Sequence, residues 1–133
     1  MEPKAVEETI KRELLKVKTV KLIYLYGSIL TPAFHVESDI DCAVYCDEFV
    51  FDRVYYKTKT AIECLLQRDV DLVNIKTADP AFGTEIIYTG QLIYCTDEEF
   101  KERFEMKILT EYLTLEEDRA VVLEKIYRRG RVF

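Results

Sequence analysis

The chain has 133 residues, 49% of them hydrophobic and 33% charged, which is enough for one ordinary core, too few for two, and too apolar for a disordered segment. Nineteen Lys and Arg stand against 25 Asp and Glu, a net charge of −6, so direct binding of duplex nucleic acid through a basic face is not expected. No apolar run approaches the roughly 18 residues of a membrane span, and the charged start MEPKAVEETIKRELLK lacks a signal-peptide core; a soluble, cytoplasmic protein with no membrane contact is expected.

In chain order, the first predicted element is a helix from Pro3 to about Val17, with Val6, Ile10, Leu14 and Val17 on one stripe and proline in its first turn. Lys21–Tyr26 is a run of strand formers halted by Gly27. A loop or short helix follows, its regularity limited by Pro32. Asp39–Tyr45 reads as the second strand. Phe51–Gln67 reads as a helix that turns Val54, Ala61, Ile62, Leu65 and Leu66 inward, and Val70–Ile75 as the third strand. Asp79-Pro80 supplies an N-cap carboxylate and a proline at the first helical position. That helix should end at Gly90 in a left-handed cap. Leu92–Tyr94 is a short fourth strand at a sheet edge. From Asp97 the chain is helical, with Phe100, Phe104, Ile108 and Tyr112 on its apolar side and Glu116–Arg129 as a C-terminal helix. The expected class is α+β in two layers, a mixed sheet of about four strands packed with helices. Residues 1–133 would form a single domain with its core at about 20–112.

Aspartate is depleted in strands, yet Asp39 and Asp41 alternate with Ile40, Cys42, Val44 and Cys46. The even-numbered set should take the core and the carboxylates the opposite face. Residues two apart on a strand are about 6.6 Å apart. Such a pair is either a solvated sheet edge or a site joined by cations, and two divalent ions ~3.5–4 Å apart suit the gap. Asp69 and Asp71 repeat the alternation. Asp69, at the strand mouth beside Arg68, could pair there or cap; Asp71, inside an apolar run, is the preferred third carboxylate. Gly27-Ser28 closes the first strand, where glycine lets a backbone approach phosphate closely and a hydroxyl adds a donor. Together these residues place a phosphate cradle opposite a carboxylate triad, the equipment of nucleotidyl transfer. The cysteines, Cys42, Cys46, Cys64 and Cys95, and the single histidine, His35, have no zinc-ligand spacing and read as buried reduced thiols and an exposed loop residue rather than a catalytic base.

At these residues the chain resembles a known family. YGSILTPAFHVESDIDCAVY looks like the GS-x10-DxD signature of minimal nucleotidyltransferases, the MNT branch of the DNA polymerase beta-like superfamily. RDVDLVNI resembles that family's later strand bearing the third aspartate, and PAFGTEIIYTGQLIYC is similar to its helix, glycine turn and final strand. The resemblance implies the nucleotidyltransferase fold, with ATP as co-substrate held at its β- and γ-phosphates by Gly27 and Ser28. It implies Asp39 and Asp41 as ligands of two magnesium ions (Mg2+). Asp71 would bind the catalytic ion and help activate the attacking hydroxyl. Many relatives read GS-x-A-R-G, whereas Leu30, Thr31 and Pro32 hold the last three positions here; a phosphate contact from that arginine is missing or comes from elsewhere.

About 20 residues follow Tyr112, and no separate acceptor-binding domain is expected among them. Many stand-alone members of this branch are antitoxins that transfer AMP to a tyrosine of a HEPN-domain ribonuclease. The resemblance thus implies a protein adenylyltransferase, the antitoxin of a type VII-like toxin–antitoxin pair, in a hetero-oligomer with its HEPN toxin. Two other readings stay open: a non-catalytic nucleotide-binding antitoxin that neutralises its partner by occlusion, and a nucleotidyltransferase acting on a small antibiotic-type molecule. Lys57, Lys59 and Lys76 could approach the triphosphate, although solvated charge is their default. Tyr24, Tyr26, Tyr45, Tyr55, Tyr56 and Tyr112 are expected to pack the core with hydroxyls at its rim, where one could stack on adenine. Arg128, Arg129 and Arg131 would form a basic tail complementing a helix dipole, the alternative being a contact with an acidic partner or RNA.

Overall fold

The structure, a computed structural model, describes residues 2–128, with side chains to residue 117. Proline opens α1 (Pro3–Leu14), and Val6, Ile10 and Leu14 are its buried stripe. The helix stops short of Val17, and Thr19 at φ 73° redirects the chain into β1 (Leu22–Tyr26). A 3-10 turn at Gly27–Leu30 and a loop lead to β2 (Ile40–Tyr45), then α2 (Glu48–Leu66) and β3 (Val70–Asn74). After a second 3-10 turn come α3 (Pro80–Thr89), β4 (Gln91–Cys95) and α4 (Glu98–Arg128). The helix expected at Glu116–Arg129 is the continuation of α4; Arg129, Arg131 and the side chain of Arg128 lie outside the described residues.

The four strands form one sheet in the order β3-β2-β1-β4. β1 is antiparallel to β2 and β4, whereas β2 and β3 are parallel and joined through α2, so the sheet is mixed and β4 is an edge strand, as the sequence suggests. Ile40, Cys42 and Val44 lie with Ile23, Leu25, Val70 and Leu72 in the main core against α1 and α2. The other face departs from the simple alternation. Ala43 enters a second cluster with Leu22, Tyr24, Ile86, Phe104 and Ile108, and the Tyr45 ring meets those of Phe100 and Phe104 edge-on at 4.8 and 4.9 Å. Apolar cover on this face therefore reaches back along β2 to Ala43 and stops, leaving Asp41 and Asp39 beyond it.

Capping explains where α2 begins. Asp47 accepts from the Val50 amide at 3.1 Å, so α2 begins before Phe51, and its phase leaves Leu65 50% exposed while Ile62 and Leu66 are buried. Asp79 caps α3 as expected, accepting from the amides of Ala81 and Phe82. The left-handed cap, however, belongs to Gln67 at φ 54°. Gly90 is extended, at φ −85° and ψ 177°; a Cβ there would strike the Ile86 carbonyl and stand 2.9 Å from that of Leu25. Glycine is required at 90 because helix and strand backbones meet there.

Tyr24, 1% exposed, donates its hydroxyl to Glu105 of α4 at 2.7 Å; burial and this carboxylate together push the phenol's pKa up. Charge-assisted bonds of this kind contribute about 1–3 kcal/mol. Tyr24→Phe should lower unfolding free energy by about 1–2 kcal/mol in urea titrations without changing catalytic rates. Tyr56, by contrast, is 79% exposed and packs no core. Among the described residues no helix is long and apolar enough to cross a membrane.

Candidate active site

Strand register builds the site. Tyr26 at the end of β1 pairs with Asp41 of β2, and Asp41 in turn with Asp71 of β3, so three side chains share one face across adjacent strands about 4.8 Å apart. Asp39 lies just outside the ladder, anchored beside it by the Ile40 amide, which donates to the Asp69 carbonyl at 3.0 Å. Asp39 and Asp71 are exposed and Asp41 is half-buried.

The Asp41 carboxyl titrates above its ordinary range, first because burial penalises the anion and then because the charges of Asp71 and Asp39 oppose it. The three carboxylates are therefore electrostatic neighbours. Among the described residues none of them makes an ion pair with Lys or Arg. Uncompensated anions hold one another apart, and among the described residues no three such groups are closed around a common point as a ready metal cage. The donor set itself, hard carboxylate oxygens without a protein counter-cation, suits a divalent cation such as magnesium.

Gly27 abuts this cluster. Its φ is +79°, and a Cβ built on it would overlap the Asp41 carboxylate. Only glycine can bring the turn onto Asp41. Ser28 follows, its carbonyl receiving the amide of Thr31 at 2.9 Å and the Thr31 hydroxyl at 2.8 Å, while its own hydroxyl has no partner among the described residues. The sequence leads one to expect Tyr26, like the other tyrosines, to pack the core with its hydroxyl at the rim. Its ring meets Phe82 of α3 edge-on at 5.9 Å, its hydroxyl is buried rather than at the rim and has no partner among the described residues, and burial, then Asp71 and Asp41, raises its pKa. No sequence signal marked Tyr26, because its place depends on which strand residue it faces.

The candidate residues Gly27, Ser28, Asp39, Asp41 and Asp71 thus fall at one end of the sheet. The other candidates lie elsewhere. Lys76 is beyond the opposite end of β3, 3.6 Å from Glu48; Lys59 lies 5.7 Å from the Tyr55 ring on α2; Lys57 borders a surface groove with Lys16, Lys18 and Arg53. His35 is an exposed loop residue, as expected, and its Nδ1 accepts from the Glu37 amide at 3.2 Å. Cys42 and Cys46 are buried free thiols, as expected, whereas Cys95 is half-buried and Cys64, on the outer side of α2, is exposed, both also free.

The sequence matches the family model of polymerase beta nucleotidyltransferases over residues 8–99. The protein adenylyltransferase MntA of Shewanella oneidensis is 26% identical over 110 residues, 83% of this chain and 78% of that protein. A chain from the crystal structure of a toxin–antitoxin complex with AMP-PNP superposes with a TM-score of 0.74 at 25% identity, over 91% of this chain and 98% of its own. A chain from the complex of tri-AMPylated Shewanella oneidensis HEPN toxin with MNT antitoxin shares the fold, with a TM-score of 0.71 at 22% identity over 94% of this chain and 98% of that one. With that model spanning β1 to β4 and both halves of the carboxylate set, the chain belongs to the polymerase beta nucleotidyltransferase family.

Proposed function

We propose that this protein transfers AMP from magnesium-ATP to a hydroxyl, a tyrosine of a HEPN-domain partner, and so acts as the antitoxin of a toxin–antitoxin pair. The carrying observation is the Asp41–Asp71 register pair, with Asp39 beside it and Gly27 packed on Asp41, in a nucleotidyltransferase whose relatives include a protein adenylyltransferase. Asp39 and Asp41 would hold two magnesium ions and Asp71 the one beside the attacking hydroxyl. Bound there, magnesium neutralises triphosphate charge and makes the hydroxyl more acidic. Gly27 lets backbone approach the phosphates, and the free Ser28 hydroxyl offers them a donor. Asp71, exposed on an edge strand, can accept the proton of a hydroxyl presented by a macromolecule from outside the sheet. The acceptor oxygen bonds to the α-phosphorus, the bond from that phosphorus to its bridging oxygen breaks, and pyrophosphate leaves.

The test is purified protein with magnesium-ATP and the HEPN-type protein encoded next to it. A tyrosine of the partner should gain the mass of AMP, and the gain should vanish with Asp39→Asn/Asp41→Asn. Absence of the adduct with the wild-type protein overturns the reading. One observation favours the occlusion reading: Leu30, Thr31 and Pro32 replace the pattern that elsewhere supplies an arginine. If the double variant protects cells from the toxin as well as wild type does, occlusion is the mechanism.

A further inference from the structure

The segment joining Gly27-Ser28 to Asp39 is held by a residue from the entrance of another strand. Arg68 donates from one Nη1 to the carbonyl oxygens of His35 at 2.7 Å and Ser38 at 3.1 Å, and its guanidinium lies 4.3 Å from the centre of the Phe34 ring. The loop is also tied internally, the His35 amide donating to the Ser38 hydroxyl and the Ser38 amide to the His35 carbonyl, both at 3.0 Å. The next residue along, Asp69, accepts from the Ile40 amide at 3.0 Å. The peptide groups on both sides of Asp39 are thus bonded to consecutive residues, 68 and 69, three and two positions before Asp71. Arg68 is itself placed firmly: Gln67 turns the chain at φ 54°, and Glu63 of α2 accepts the Val70 amide at 2.9 Å.

We propose that Arg68 is a positioning residue that sets Asp39 relative to Asp41 and Asp71 for divalent-cation binding; this rests on the carboxylate assignment under Proposed function. Asp39 has no ladder partner of its own and is exposed, so its backbone position depends on the loop that Arg68 fastens. The alternative work for an arginine near this site is direct contact with a phosphate, replacing the arginine absent after Gly27-Ser28. The observed guanidinium is instead committed to two backbone carbonyls and an aromatic face. Lysine can bond the carbonyls but cannot reproduce the planar stack.

The experiment is titration with Mn2+ in the presence of AMP-PNP, followed by electron paramagnetic resonance, on wild type, Arg68→Met, Arg68→Lys and Phe34→Leu, each shown folded by its thermal transition. Removing a group that orients metal ligands typically costs 10- to 100-fold in affinity. Arg68→Met should therefore weaken Mn2+ by about tenfold or more, with Arg68→Lys and Phe34→Leu in between. The magnesium concentration giving half-maximal AMP transfer should move by the same factor, while the rate at saturating magnesium stays within about threefold. Should Arg68→Met fail to fold, the lysine and leucine variants carry the comparison. Unchanged Mn2+ affinity in the folded variants overturns the proposal, whether they lose only stability or show a raised KM for ATP at saturating magnesium; the latter would make Arg68 a phosphate contact. If wild type and Asp39→Asn/Asp41→Asn bind Mn2+ alike, the carboxylate assignment fails first, and the role of Arg68 fails with it.

Discussion

Asp41→Asn should cut AMP transfer on the order of a thousandfold and at the same time raise thermal stability at neutral pH in the absence of divalent cations. Both effects come from the same surroundings. The folded protein raises the pKa of this carboxyl through burial and through the charges of Asp71 and Asp39. Folding therefore favours the protonated form. The stability that the neutral carboxyl allows is complete below its unfolded pKa and is lost as pH rises through the folded value. Asparagine keeps the shape and never ionises. The thermal midpoints of wild type and variant should accordingly be close below about pH 4, and the variant should move ahead as pH approaches 7. Magnesium with AMP-PNP should close the gap by stabilising wild type alone, since a ligand that binds only one folded protein raises only that midpoint. Differential scanning calorimetry across pH, with and without the ligands, is the measurement. A variant less stable than wild type at pH 7 without ligand, or one that retains transfer, contradicts the assignment of Asp41 as a cation ligand. A complex with the partner that survives the substitution separates loss of chemistry from loss of docking.

The order of elements and the candidate carboxylates were legible because each rests on short-range chemistry. Pro3 and the Asp79-Pro80 pair mark helix starts through capping and φ restriction, and aspartates at 39, 41 and 71 stand out where strands disfavour them. What needed coordinates depends on contacts far apart in sequence. The pairing of Tyr26 with Asp41 and of Asp41 with Asp71 is a matter of register, and no local pattern states it. Gly90 looked like a left-handed cap, the usual reason for glycine after a helix, but the approach of the Leu25 carbonyl decides it. Ala43 and Tyr45 share the parity of Asp41, so alternation alone cannot say which of the three is covered; α3 and α4 supply a second apolar surface that takes Ala43 and Tyr45 and stops short of Asp41. Arg68 follows the same rule: its partners lie some thirty residues away.

Gly27→Ala should be damaging twice, and the two effects can be separated. A side chain at φ +79° costs about 1–2 kcal/mol relative to glycine, which for a chain of this size lowers the thermal midpoint by roughly 3–8 °C. The added methyl would also take the space of the Asp41 carboxylate, so that side chain has to turn away and transfer should fall about a hundredfold or more. Asparagine at 41 has the same outline as aspartate, so its amide meets the same methyl. Combined with Asp41→Asn, the stability loss from Gly27→Ala should therefore persist, whereas the loss in transfer should not multiply: once residue 41 is no longer a cation ligand, displacing it costs little more. Non-additivity of this kind is the signature of two residues acting through one interaction. Unfolding midpoints and transfer of labelled AMP, measured for the two single variants and the double, complete the cycle. A double variant slower by the full product of the single losses would show that Gly27 serves the phosphates independently of Asp41, and that the close packing of turn on carboxylate is incidental to catalysis.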